Sequence, residues 1–174
     1  DGITSINGAM NYMGQGLKNF KEFEKLIIKT GGLVNATKTE LKLLADTAMQ
    51  LGAETEHKAK DVANAMSQMA LAGFSVTEII GAMPGLLGMA TAGMISIAQA
   101  TNIAAEILRT FQIEAKNMDY VAGALTTTFT TTNTTLGTLS YTMKYVGSQA
   151  TELGVGLSQV AAVAGILGNL GIKG

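Results

Sequence analysis

Three short motifs that begin helices divide the first hundred residues of this chain. In each motif a hydroxyl residue is followed three positions later by Glu or Gln, so that the two side chains can satisfy free backbone N–H groups at a helix start. The motifs are Thr37 with Glu40, Ser75 with Glu78, and Ser96 with Gln99. They predict a chain built from successive helices, and we expect an all-α, multi-helix fold.

Apolar spacing and glycine predict where the helices lie. Apolar residues three and four positions apart predict an amphipathic first helix over residues 3–29, ended by Gly31 and Gly32, with a charged opposite face. Its apolar face is Ile6, Met10, Met13, Leu17, Phe20, Phe23, Leu26 and Ile27. Further helices are predicted over residues 40–51, 56–72 and 96–111, the first two ended by Gly52 and Gly73.

Two stretches are poor helix formers. Pro84 is expected to kink or break the helix that starts after Ser75 and ends at Gly93, because proline has no backbone N–H to donate. The threonine tract at residues 126–135 is mostly β-branched, which alone favours a strand. The stretch about 60 residues earlier, with which this tract aligns, is predicted to be a helix end. We therefore predict a helix to about Thr131 and a turn capped at Thr134 or Thr135.

The second half of the chain repeats the first at a spacing of about 60 residues. Ile79, Met83, Leu86 and Ala90 align with Leu139, Met143, Val146 and Ala150. We therefore predict an amphipathic arm at residues 1–36 and two related helical units at residues 37–113 and 114–174. Chance similarity between two stretches rich in Ala and Gly is the alternative explanation.

Charge is confined largely to the start of the chain. Of the 12 Lys and Arg and 13 Asp and Glu, only nine follow Asp61, and residues 79–105, 120–143 and 153–172 carry none. Soluble domains average about a quarter charged residues, so this surface is expected to be covered by a partner or placed in lipid. Runs of about 20 apolar residues can span a bilayer. We favour burial in an assembly, because Pro84, Gly88 and Gly93 are expected to divide the first run into shorter helices.

The composition gives little support to catalysis or nucleic-acid binding. A net charge of -1 provides no basic field for phosphates, and the absence of Cys removes thiolate chemistry. We interpret His57 as a solvated surface residue. The closest carboxylates, Glu22 with Glu24 and Glu54 with Glu56, lie in charged stretches typical of a solvated face. No catalytic, cofactor-binding or metal-binding residue is predicted.

Several stretches together resemble the core region of phage tail tape measure proteins. They are residues 44–46, 51–53, 62–66, 69–75, 83–87, 89–90, 121–125, 143–146, 150–154 and 167–174. The resemblance covers about three-quarters of the chain, from Leu41 onward, and its specificity lies in the order of the stretches, the position of Pro84 and the final Gly-Ile-Lys-Gly. It weakens at Gly123, where the family often has Asp, and in the threonine tract.

The resemblance implies a structural and not an enzymatic function. Such proteins occupy the lumen or tip of a phage tail tube, set its length during assembly in the host cytoplasm and leave on infection. The implied partners are further copies of the chain, with a trimer favoured, tail-tube and tail-tip or baseplate proteins, and the host membrane on ejection. We also expect the chain to be part of a longer protein, because it begins without Met.

Two other functions stay open. A membrane-inserting helical channel would partition into lipid without any tail protein, although the chain lacks Trp for interfacial belts. A peptidoglycan-cleaving enzyme would need a cleft with a carboxylate of raised pKa, for which Glu54 or Glu56 would be the candidates.

Overall fold

The computed structural model describes the backbone of residues 2–172 and the side chains of residues 16–172. Eight α-helices lie within that span: α1 (Gly2–Val34), α2 (Lys38–Glu54), α3 (Ala59–Leu71), α4 (Val76–Gly93), α5 (Ile97–Thr110), α6 (Met118–Thr131), α7 (Leu136–Glu152) and α8 (Leu157–Asn169). One turn of 3-10 helix, Ala115–Asn117, precedes α6. No strand occurs between residues 2 and 172, so the predicted all-α class is confirmed.

All three predicted helix-start motifs form complete capping boxes. Ahead of α2, the Thr37 backbone N–H donates to Glu40 Oε2 at 2.8 Å while Glu40 N–H donates to the Thr37 hydroxyl. Ser75 with Glu78 and Ser96 with Gln99 make the same reciprocal bonds at the starts of α4 and α5. These starts were predictable because both partners of each cap lie within one turn of the chain.

Two predicted helix ends are wrong, because the glycines concerned serve packing and not termination. Helix α1 continues through Gly31 to Val34, and Gly31 is buried where an added Cβ would collide with Leu41. Helix α2 likewise passes through Gly52, where a Cβ would lie 2.5 Å from the Ala59 backbone nitrogen. The left-handed ends at Gly73 (φ 92°) after α3 and at Met94 (φ 49°) after α4 agree with the predicted ends.

The start of the third helix also differs from the prediction. Residues 56–58 form the connection between α2 and α3, and α3 begins at Ala59 after Lys58. Three residues predicted as helical therefore belong to a loop that contains His57.

The predicted break at Pro84 does not occur. Helix α4 runs without interruption from Val76 to Gly93. Pro84 lies on the exposed side of α4 together with Gly81 and Gly88, whereas the opposite side is buried. On the exposed side water can bond the carbonyl that proline leaves without a donor, so the buried face holds the helix together.

The threonine tract is helical up to the predicted residue. Helix α6 ends at Thr131, and Thr135 caps α7 by accepting from the Thr138 N–H at 3.1 Å. Within the tract, threonine hydroxyls donate to carbonyls four residues earlier, as Thr128 does to Ala124 at 2.8 Å. This bonding satisfies the hydroxyls inside the helix and lets tertiary packing override the strand preference.

The helices stack in two parallel rows. Helices α1, α3, α5 and α7 pack one on the next in the first row, and α2, α4, α6 and α8 do so in the second. Consecutive helices also pack across the rows, which joins the rows along a shared core. Met66, Ile79, Leu86, Met118 and Leu125 are fully buried in that core. This is the arrangement of an α-solenoid, in which each element contacts only its neighbours along the stack.

The last six helices form two sets of three, and the second set repeats the first at a nearly constant spacing. Helices α6, α7 and α8 begin 59 or 60 residues after α3, α4 and α5. Burial follows the predicted alignment, since Ile79 and Met83 are fully buried, as is Leu139, and Met143 is nearly so. The division into units at residues 36/37 and 113/114 stays a prediction.

The predicted apolar face of α1 is only partly buried. Phe23 and Ile27 are in the core and Leu26 is half-buried, but Leu17 and Phe20 are exposed by 62% and 55%. Ile6, Met10 and Met13 lie outside the described side chains. The exposure of Leu17 and Phe20 leaves an apolar surface at the α1 end of the stack.

Candidate interaction surfaces

The N-terminal carboxylates take part in structural contacts. Glu22 on α1 accepts a hydrogen bond from the Lys60 ammonium on α3 at 2.8 Å. This bond, followed by the charge of Lys60, lowers the pKa of Glu22. Glu24 projects from the exposed side of α1. Because the bond to Lys60 lowers the pKa of Glu22, this carboxylate lacks the raised pKa that a general acid requires.

Glu56 and His57 join the loop between α2 and α3 to α4. The Thr91 hydroxyl donates to Glu56 Oε1 at 2.7 Å and lies 3.0 Å from His57 Nε2. Since that hydroxyl proton is given to Glu56, His57 Nε2–H is the donor in the second bond. His57 is thus half-buried and bonded, which differs from a freely solvated residue.

Glu54 lies apart from this cluster and accepts from Gln50 on its own helix at 2.9 Å. Among the described residues no group of three His, Asp or Glu side chains is arranged to hold a metal ion. The structure therefore brings Glu56, His57 and Thr91 together in a hydrogen-bonded contact between the α2–α3 loop and α4. Glu54 takes no part in this contact.

The concave surfaces are open grooves. A groove of about 410 Å³ lies between α1 and α2, and it adjoins another of about 550 Å³ that reaches the start of α3. The first groove is lined by Phe20, Phe23, Glu24, Ile27, Ile28, Lys38, Leu41, Lys42, Ala45 and Met49. This groove was not predictable from the sequence, because the exposure of residues such as Phe20 and Met49 depends on which neighbouring helix is present.

A second apolar surface lies at the α8 end of the stack. Ile166 and Leu170 are exposed by 60% and 71%, and Val163 is also exposed. On α7, Val146 is exposed by 41%, whereas the aligned Leu86 on α4 is fully buried. At the equivalent positions in the middle of the stack Ile103, Glu106 and Thr110 are half-buried, so this surface is less covered on α8 than on α5. Grouped exposed apolar side chains of this kind mark interaction sites.

By length and composition, helix α4 is long and apolar enough to cross a membrane, and 44% of its 18 residues are buried in the fold. The buried positions include Ile79, Leu86 and Met89. They pack against the helices on either side of α4, which accounts for its apolar character without lipid. The same test is passed by core helices of soluble proteins.

Comparison with known proteins gives two relatives and one family. The chain is 34% identical over 165 residues to the tape measure protein of Pneumococcus phage Dp-1, covering 95% of the chain and 14% of that protein. It is 28% identical over 135 residues to the probable tape measure protein of Escherichia phage P2, covering 78% of the chain and 17% of that protein. No solved structure matches the chain.

The chain thus spans less than a fifth of the length of either relative. The sequence model that describes phage-related minor tail proteins matches residues 45–174, which run from within α2 through α8. The family model matches most of the chain, and 95% of the chain aligns with a tape measure protein at 34% identity, so the chain belongs to the family of phage-related minor tail proteins.

Proposed function

We propose that the chain is a segment of a tape measure protein that sets the length of a phage tail tube during assembly, occupies the tube lumen or tip and is released on infection. Membership of the family makes it a structural component of a phage tail. The observation that carries the finer proposal is the open, linear stack of helices, which grows along one direction without closing on itself. In such an architecture length increases in proportion to the number of units.

One unit of 60 residues would contribute a different length in a stacked and in an extended state. Three helices advance the two-row stack by one and a half positions, which is about 14 Å at helix spacings of 8–10 Å. The same residues drawn out as one continuous helix would span about 90 Å. A change in tail length therefore reports both the ruler function and the state of this block in the tail.

The test is an in-frame deletion of residues 94–153 in the parent gene of the phage. This deletion joins Gly93 to Gly154 and places α8 where α5 stood, since Met94 and Gly154 both have left-handed backbone after aligned helices. Duplication of the same residues is the matched control. We expect electron microscopy to show tails shortened by the deletion and lengthened by the duplication to the same extent.

A step of about 90 Å means that the block is extended in the tail, and one of about 14 Å means that it remains stacked. Tails of unchanged length in both variants would contradict the ruler function of this block. Release is tested separately, by asking whether the segment is lost from purified virions after triggered DNA ejection.

The apolar surface at α8 is the proposed contact for other tail components. We infer that Val163, Ile166 and Leu170 bind tail-tube or tail-tip proteins or further copies of the chain. A trimer and a contact with the host membrane stay predictions. Native mass spectrometry of the chain alone and with purified tail proteins measures which of these complexes form.

A further inference from the structure

The first two helices correspond to the last two helices of each later unit. Left-handed residues follow α1, α4 and α7 at Asn35, Met94 and Gly154, at spacings of 59 and 60 residues. Capping residues then open α2, α5 and α8 at Thr37, Ser96 and Gly156, at the same spacings. The pair α1–α2 is therefore equivalent to the pairs α4–α5 and α7–α8.

Each of the later pairs is preceded in the chain by a helix that packs on both of its members. The first pair has no such helix among the described residues. Helix α3 packs on α4 and α5, and α6 packs on α7 and α8. Where α6 packs on α8, an added Cβ on Gly165 would lie 2.9 Å from the Thr128 methyl group. No helix occupies the corresponding place against α1 and α2 among the described residues.

Burial at equivalent positions shows the effect of the missing helix. On α5, Ala100, Ala104 and Leu108 are buried beneath α3. On α8, Val160 and Gly168 are buried and Ala164 is half-buried beneath α6 and the connection that follows it. Their equivalents on α2 are Leu41 and Ala45, which are half-buried, and Met49, which is 47% exposed. These residues line the 410 Å³ groove between α1 and α2.

We propose that this groove is the docking site for residues 3–13 of the same chain. These residues lie 59 positions before α3, so Ile3, Ile6 and Met10 stand at the positions of Val62, Ala65 and Met69. Those three residues of α3 are all buried against the helices that follow it. The segment thus carries apolar side chains at three positions that are buried in α3. Lys38 and Lys42, which also line the groove, can cover a docked helix with their aliphatic chains and keep their ammonium groups in water.

The sequence also provides the turn that this docking needs. Gly14 stands at the position of Gly73, which ends α3 with a φ of 92° that favours glycine. Gly16 stands at the position of Ser75, the residue that precedes α4, and glycine is accepted at a helix start. In the structure α1 extends as a single helix from Gly2, and two glycines within three residues make this part of α1 the easiest to bend.

The test is a disulfide between the segment and α2 in the 174-residue chain, which has no cysteine of its own. Met10 and Asp46 stand at the positions of Thr128 and Gly165. A Cβ on Gly165 would lie 2.9 Å from the Thr128 methyl carbon, which is bonded to the Thr128 Cβ. The two Cβ atoms therefore come within the roughly 3.5–4.5 Å that a disulfide requires. We expect Met10→Cys with Asp46→Cys to oxidise rapidly to an intramolecular cross-link. Met10→Cys with Glu152→Cys, at the other end of the stack, controls for random oxidation.

Gly14→Ala should reduce the rate of this cross-link by about tenfold, because alanine resists a left-handed backbone. Gly32→Ala is the matched control, since Gly32 is exposed on the same helix with open space around it, and it should leave the rate unchanged. Failure to cross-link in a chain with normal helical circular dichroism would overturn the proposal. A cross-linked dimer would also overturn it, by showing that the groove takes a second copy.

Discussion

The close approach of α4 and α6 at Gly85 makes a measurable prediction. A Cβ added to Gly85 would lie 2.6 Å from Asp119 Oδ1, 3.1 Å from the Asp119 backbone nitrogen and 3.2 Å from its Cα. The carboxylate can rotate away, but the backbone of α6 can relieve the remaining contacts only by shifting. Overpacking of this kind costs about 1–3 kcal/mol. Gly85→Ala should therefore push α6 away from α4.

Gly81→Ala on the same helix isolates this packing cost. Gly81 is exposed, and an added Cβ there meets nothing within 4 Å. Both substitutions replace glycine by alanine inside α4, so both gain about 1 kcal/mol in helix propensity. The free energy of unfolding of Gly85→Ala should thus lie about 1–3 kcal/mol below that of Gly81→Ala.

Urea unfolding followed by circular dichroism measures this difference directly. In thermal unfolding it corresponds to a Tm lower by about 2–12 °C for a chain of this size. Gly88→Ala, at another exposed position of α4 with open space around it, should behave like Gly81→Ala. Equal stabilisation by Gly85→Ala and Gly81→Ala would refute the close approach of the two helices.

Three further outcomes test the caps and the apolar surface. Ser96→Ala should lower the free energy of unfolding by about 1 kcal/mol, measured in urea, because it removes the hydroxyl that caps α5. The hydroxyl and then the backbone N–H of Ser75 hold the pKa of Glu78 below its usual 4.5. The carboxylate therefore stabilises the fold above about pH 4.5, and this contribution is lost as the pH falls through the lowered pKa. Glu78→Gln keeps a capping side chain without the titration, and it should flatten the acid side of a profile of Tm against pH. Finally, Ile166→Glu should change the free energy of unfolding by less than about 0.5 kcal/mol while weakening complexes with other tail proteins in native mass spectrometry. The buried Ile107→Glu should unfold the chain in the same assay.

Local chemistry explains which features the sequence could predict. The capping boxes at Thr37, Ser75 and Ser96 were predictable because each is complete within four residues. The end of α6 at Thr131 was predictable from its alignment with the end of α3. In these cases the deciding contacts lie within the segment itself or in a related segment of the chain.

The wrong predictions share a dependence on contacts with other helices. Gly31 and Gly52 look like terminators in the sequence, but each is small because Leu41 or Ala59 packs against it. Pro84 lies inside a continuous helix because the opposite face of α4 is buried. Sequence spacing cannot reveal such contacts, since it does not show which helices become neighbours.

The groove between α1 and α2 was missed for a related reason. At α2 the positions equivalent to Ile97 and Thr101, both buried in α5, hold Lys38 and Lys42. These lysines conceal the repeat in the charged part of the chain and made residues 1–36 look like a separate arm. The backbone turns at Asn35 and Met94 retain the spacing that the side chains obscure.

A period of three helices in a stack of two rows has a geometric consequence. The first helix of one unit, α3, lies in one row, and its equivalent α6 lies in the other. Consecutive units therefore present equivalent surfaces on alternate sides of the stack, and two units are needed to return to the same side. A contact that recurs in every unit would alternate between the two sides of a stacked segment, whereas an extended helix would lose this alternation together with the stacking faces. Cross-linking to a tube protein from equivalent positions in neighbouring units would thus distinguish the two states independently of tail length.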